Sequence, residues 1–133
     1  MKLYTIGYSG RSIEELQSIV WAKNGILLDI RYSARSRRPE FSHKRLLERF
    51  GEWYNHVPEW GNLNYRASGA IEIADFDGGM NTVMRFIEDY RASTGWPGDV
   101  FLMCACADPN TCHRSIVASL LREHGYTVTE WQD

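Results

Sequence analysis

Cys104, Cys106 and Cys112 lie within nine positions, and His113, Arg114 and Ser115 follow directly, in the stretch CACADPNTCHRS. An odd number of cysteines packed into one segment is not a disulfide framework. It reads as reactive thiols, metal ligands, or small core residues that happen to cluster. The first turn of a helix carries unpaired N–H groups and partial positive charge, which suits an anion. A cysteine placed there has a lowered pKa and can act as a thiolate nucleophile. On that basis Cys112, or in its place Cys104, is the candidate nucleophile, and His113 the candidate acid or base. Arg114 can add a bidentate contact to phosphate or carboxylate, and Ser115 extends the same helical turn. For Cys104 alone, a plain buried position is an equally good reading, because free cysteine is often buried.

A metal site competes for the same residues. Cys104, Cys106, Cys112 and His113 could form a Cys₃His zinc set. Residues 104 and 106 on one strand point the same way, which favours it. The spacing departs from the usual paired knuckle, and adjacent helical residues diverge by about 100°. No residue is therefore assigned as a metal ligand, and a structural zinc domain stays as an alternative.

A second constellation is the loop in DIRYSARSRRPEF, where Arg31, Arg35, Arg37 and Arg38 fall within eight residues. Four guanidinium groups could bind phosphates or a nucleic-acid backbone. They could equally be a solvated basic loop. Asp29, inside an apolar run, needs a buried partner, and an arginine is the natural one. Arg31, Arg35 and Arg38 are the anion-binding candidates, joined by Ser9 after the first strand. His43, His56 and His124 show no local partner pattern and read as structural or surface residues. Trp60 could line a pocket.

The elements that must position these residues alternate. Residues 3–7 (LYTIG) read as a strand, and Ser12 with Glu15 forms a capping box for a helix over 12–23 that ends at Asn24-Gly25. Residues 26–31 form an apolar run typical of a strand buried on both sides. Residues 32–42 read as loop, 43–50 as a short helix and 53–57 as a strand. Residues 58–78 have no clear period, and an aperiodic stretch this long is functional or partly helical. Gly78-Gly79 opens a helix over 80–93. A strand at 100–105, a turn at 107–111, a helix at 112–124 and a strand at 126–131 complete the chain, with Gly125 as the C′ glycine. This pattern predicts an α/β fold: a single three-layer domain over 1–133, with a mostly parallel sheet covered by helices on both faces. In such sheets ligands bind at the carboxyl ends of strands, where residues 7–10, 29–38 and 104–115 would meet.

The bulk numbers agree. The chain has 133 residues, 44% apolar and 24% charged, which suits one ordinary domain. The net charge of −2 argues against general attraction to a polyanion. No secretory h-region or membrane-length apolar run is present, so a soluble, cytoplasmic protein without membrane contact is expected. The expected partner is a phosphate-containing small molecule, a nucleotide or a nucleic acid, and no cofactor is implied.

TIGYSGRSIEEL, LLDIRYSARSRRPEF and LMCACADPNTCHRSIVASLL resemble, in order, three signature blocks of the domain of unknown function 488 family. The resemblance covers nearly the whole chain and implies a small α/β fold. It points to Gly7, Ser9, Asp29, Arg31, Arg35, Ser36, Arg38, Pro39, Cys104, Cys112, His113 and Arg114 as signature positions. Many relatives have an acidic residue where this chain has Cys106, which tells against a metal set that requires Cys106. A looser likeness is to rhodanese-like sulfurtransferases, whose catalytic segment VFLMCAC and the following HRS resemble. Their arginine follows the cysteine by about five residues, whereas Cys106 to Arg114 spans eight, so that likeness implies architecture rather than sulfur transfer.

Overall fold

A computed structural model describes residues 1–66 and 69–133. Five strands, β1 (Leu3–Gly7), β2 (Ile26–Asp29), β3 (Tyr54–His56), β4 (Val100–Cys104) and β5 (Val128–Glu130), form one sheet in the order β3-β2-β4-β1-β5. Every pairing is parallel. Four helices connect them: α1 (Ile13–Ala22), α2 (His43–Phe50), α3 (Phe76–Thr94) and α4 (His113–Glu123). The α/β class and the parallel sheet expected from the alternation are both present. Among the described residues, no helix is long and apolar enough to cross a membrane.

The central strand β4 is buried at all five positions, as is β2 at all four, which is why both read as unbroken apolar runs. Alternate side chains divide between two clusters. Leu28, Leu102 and Cys104 pack with Val83 and Ile87 of α3 and Val117 and Leu121 of α4. Leu27, Phe101 and Met103 pack with Leu16 and Val20 of α1 and Leu46 and Phe50 of α2. The period of two along a strand sets this division.

The caps follow the sequence. Ser12 accepts from the Glu15 N–H at the start of α1, and Ser42 accepts from the Arg45 N–H at the start of α2. The third helix departs from expectation. It begins at Phe76, not near residue 80, because Asp75 caps it by accepting from the Gly78 N–H. Gly78 and Gly79 thus lie inside the first turn. A Cβ on Gly79 would overlap the Trp60 indole, so the glycine serves packing and not helix entry. Trp60 itself is buried in the core and donates to the Phe76 carbonyl at 3.0 Å.

Residues 67 and 68 of the stretch 58–78 lie outside the described residues, and the rest is held by local bonds. Pro58–Trp60 form a 3-10 turn, Asn62 bridges Ile73, and the Asn62 Oδ1 accepts from the N–H groups of Asn64 and Glu72. The edge strands are shorter than expected: β3 covers Tyr54–His56 and β5 covers Val128–Glu130.

Candidate functional site

The site lies at the carboxyl ends of β1, β2 and β4. Parallel pairing continues past the strands, since Tyr8 N–H and Ser9 N–H donate to the carbonyls of Cys104 and Ala105. Gly7 permits this close approach, because a Cβ there would collide with the Cys106 carbonyl and crowd Arg114 Nη1. A 3-10 turn, Pro109–Thr111, then leads to Cys112, the N-cap residue of α4.

This turn brings the sulfurs together. Cys104 Sγ and Cys112 Sγ lie 2.7 Å apart, and both residues are buried. Cys106 is exposed, and its sulfur lies within 4.8 Å of the other two. The three cysteines are free thiols whose positions could hold a soft metal ion.

His113 Nδ1 lies 3.7 Å from Cys112 Sγ, while its Nε2 lies 2.6 Å from the Ile30 carbonyl oxygen. A carbonyl only accepts, so Nε2 carries the hydrogen and Nδ1 faces the sulfur. The Cys104 thiol, His113 and the Arg114 backbone N–H hold the Cys112 thiol far below the ordinary range, against the opposing effect of burial. Burial pushes the Cys104 thiol up, so Cys104 keeps its proton and offers it to Cys112. Burial also disfavours the His113 imidazolium, but the neighbouring Cys112 sulfur outweighs it and raises the His113 pKa. These effects favour the thiolate at Cys112 and the charged form of His113, with the Cys104 thiol placed to donate to the sulfur.

Arg114 has a different place from the one its sequence position suggests. It is 1% exposed, and it sends Nε and Nη2 to the two carboxylate oxygens of Glu130 at 2.9 and 3.0 Å. Nη1 reaches Cys104 Sγ at 3.0 Å and the Cys106 carbonyl at 2.7 Å, and Nη2 also reaches the Ala107 carbonyl. Its five donor hydrogens match these five bonds, so the guanidinium braces the cysteine loop from behind.

Asp29 is fully buried and pairs with Arg31 through both carboxylate oxygens, Nε to Oδ1 at 2.8 Å and Nη2 to Oδ2 at 2.6 Å. The Tyr54 hydroxyl donates to Oδ2 at 2.6 Å, and burial beside Asp29 raises the phenol pKa so that it remains a donor. The partner expected for Asp29 is therefore the arginine two residues on. Arg31 also reaches the Tyr8 hydroxyl, and its carbonyl accepts from His56.

Arg31, Arg35, Cys106, Cys112 and His113 line one pocket of about 450 Å³. Tyr32, Asn62, Asn64, Tyr65 and Arg66 form more of its wall, most of it from the stretch 58–78. Sequence reasoning missed these wall residues; the aperiodic length of their segment was the available signal. A more open groove lined by Pro39, Glu40, Arg45, Glu48 and Arg49 carries no thiol and lies among surface charges. The thiol pocket is the chemically equipped one.

The remaining candidates stand outside it. Arg38 donates to the Tyr8 and Arg11 carbonyls, pairs with Glu40 and covers the Phe41 ring. Ser115 Oγ donates back to the Cys112 carbonyl, and Ser9 is exposed beyond the pocket lining.

The family model described as "Domain of unknown function DUF488" matches residues 13–121. The chain belongs to the DUF488 family. No curated protein and no solved structure matches it. The DUF488 match spans α1 to α4 and takes in both the Asp29–Arg31 pair and the whole cysteine segment.

Proposed function

We propose that this DUF488 protein is a thiol-dependent enzyme acting on a small anionic, phosphate-containing or nucleotide-like substrate. Cys112 is its nucleophile, His113 its acid and base, and Arg35 the anion contact, on a pocket wall that the Asp29-paired Arg31 also lines. The observation that carries the reading is the Cys112 sulfur set between the Cys104 thiol and His113 Nδ1, on the wall of an arginine-lined pocket. A thiolate held by an imidazolium is an activated nucleophile. Arg114 is a positioning residue in this scheme, because its donors are committed to Glu130 and the cysteine loop. Two of the four loop arginines, Arg31 and Arg38, are tied to internal partners, which favours a small ligand over an extended polyanion.

The test is iodoacetamide labelling of the Cys106→Ser chain, which removes the exposed competing thiol, with Cys112 followed by peptide mass spectrometry. Labelling should be faster than that of a free thiol at neutral pH and should slow in phosphate. Arg35→Ala should weaken the protection while leaving the unprotected rate unchanged. Labelling at the rate of an ordinary thiol would remove the nucleophile role. Fast labelling without phosphate protection would remove the anion.

A further inference from the structure

We propose that Cys104 is the resolving thiol of this site, so that the protein cycles between a Cys104/Cys112 dithiol and a Cys104–Cys112 disulfide while reducing a disulfide-bonded substrate. The inference rests on the reading of Cys112 as a nucleophile and adds a second chemical step to it.

Three features support it. Cys104 ends β4 and Cys112 caps α4, and the connecting turn brings their sulfurs to 2.7 Å, closer than the ordinary separation of two unlinked sulfurs. The two sulfurs are thus direct neighbours, the first requirement for a bond of about 2.05 Å. Both thiols are buried, but they differ in position: Cys112 forms part of the pocket wall, whereas Cys104 does not. Of these two thiols an incoming disulfide therefore meets Cys112 first, and the adduct on Cys112 lies within reach of Cys104. The exposed Cys106 on the same wall is the competing entry point that a Cys106→Ser chain removes. Finally, Arg114 Nη1 sits 3.0 Å from Cys104 Sγ, where its charge stabilises a developing Cys104 thiolate. Burial alone would make Cys104 a poor nucleophile.

The steps balance. The Cys112 thiolate attacks one sulfur of R–S–S–R, the substrate S–S bond breaks, and the departing RS⁻ takes the proton from His113 Nδ1. Cys104 then attacks the Cys112 sulfur of the mixed disulfide. Its proton leaves to the now neutral His113, and the second RS⁻ departs. The substrate gains two electrons and the cysteine pair loses two. A small thiol reductant returns the pair to the dithiol by the reverse exchange.

The probe is oxidised glutathione, with the products mapped by peptide mass spectrometry after acid quenching. The wild-type chain should form the Cys104–Cys112 disulfide and accumulate little glutathione adduct. Cys104→Ser should accumulate the adduct on Cys112, and Cys106→Ser should behave as wild type. A lasting adduct on Cys112 in the wild-type chain, or a disulfide through Cys106, would overturn the resolving role. The wild-type and Cys106→Ser results decide the matter even if Cys104→Ser folds poorly. The two readings also separate: fast iodoacetamide labelling of Cys112 without an internal disulfide removes only the resolving role, whereas slow labelling removes both. A purified protein carrying one tightly bound zinc per chain, with its thiols closed to oxidised glutathione, would also overturn it in favour of a metal centre.

Discussion

Cys112 and His113 are neighbours in sequence, and their pairing depends on where the helix starts. Adjacent residues inside a helix diverge by about 100°. Cys112, however, is the N-cap residue, with extended backbone (φ −111°, ψ 145°), and His113 is the first helical residue. The change of backbone between them lets Nδ1 turn toward the sulfur while Nε2 bonds to Ile30. The sign of the pH dependence follows. An ordinary thiol with a pKa near 8.5 gains thiolate about tenfold per pH unit below that value. Cys112 is held far below it, so its thiolate is already complete at neutral pH. Its labelling rate in Cys106→Ser should be flat between pH 6 and 8 and fall only in acid. His113→Ala removes one of the groups that lower the pKa, so the rate at pH 7 should drop and a rise with pH should return. A rate that climbs tenfold per unit in both chains would contradict the pairing. The sequence placed Cys112 and His113 at a helix start and grouped Cys104 with them as an alternative nucleophile or metal ligand, but the direct contact between the Cys104 and Cys112 sulfurs was not legible. That contact closes across a turn whose path is set by Pro109 and the Asp108 cap on Asn110.

At the level of elements, the site depends on close approach between strand ends. Gly7 is the tightest point, since any side chain there meets the Cys106 backbone. Gly7→Ala should lower stability by about 1–3 kcal/mol, the usual cost of overpacking. It should also slow Cys112 labelling by displacing the loop, and thermal unfolding together with the labelling rate checks both. The second strand offers a contrasting case. Asp29 was legible as a buried charge in need of an arginine, and Arg31 supplies it. The third partner, Tyr54, was not legible, because β3 joins β2 only through tertiary pairing of Asp29 with His56 and Leu27 with Tyr54. Tyr54→Phe removes a hydrogen bond to a buried carboxylate and should cost about 1.5–3 kcal/mol, measured as a shift in urea midpoint at unchanged slope. The stretch 58–78 was unreadable for a related reason. Its order comes from Asn62, Asp75 and Glu59 bonding to the backbone or to Thr82, and such bonds leave no period in the sequence. Its polar wall around the pocket was therefore missed, whereas the buried strands announced themselves by apolar runs.

Across the whole molecule, the edge strand β5 is tied to the cysteine loop through one carboxylate. Glu130 accepts from Arg114 with both oxygens and from the Thr5 hydroxyl at 2.7 Å, joining β5, α4 and β1. Because Arg114 is buried and Glu130 is 25% exposed, loss of the carboxylate charge leaves a guanidinium with poor compensation. The Arg11–Asp133 pair is the natural control. It also tethers the chain beyond β5, but Asp133 is 73% exposed, and water already competes for its charge. Glu130→Gln should lower the unfolding midpoint by an amount equivalent to about 2 kcal/mol, since hydrogen bonds to charged groups contribute in that range. The loss should persist at high salt, because screening reaches buried pairs weakly. Asp133→Asn should leave the midpoint unchanged. The same Glu130 variant should alter cysteine chemistry without touching a cysteine. With its carboxylate anchor gone, Arg114 holds Cys104 less firmly, and resolution of the glutathione adduct on Cys112 should slow. Equal loss of stability in the two variants, or a Glu130→Gln chain that resolves the adduct at the wild-type rate, would show that β5 does not support the site through Arg114.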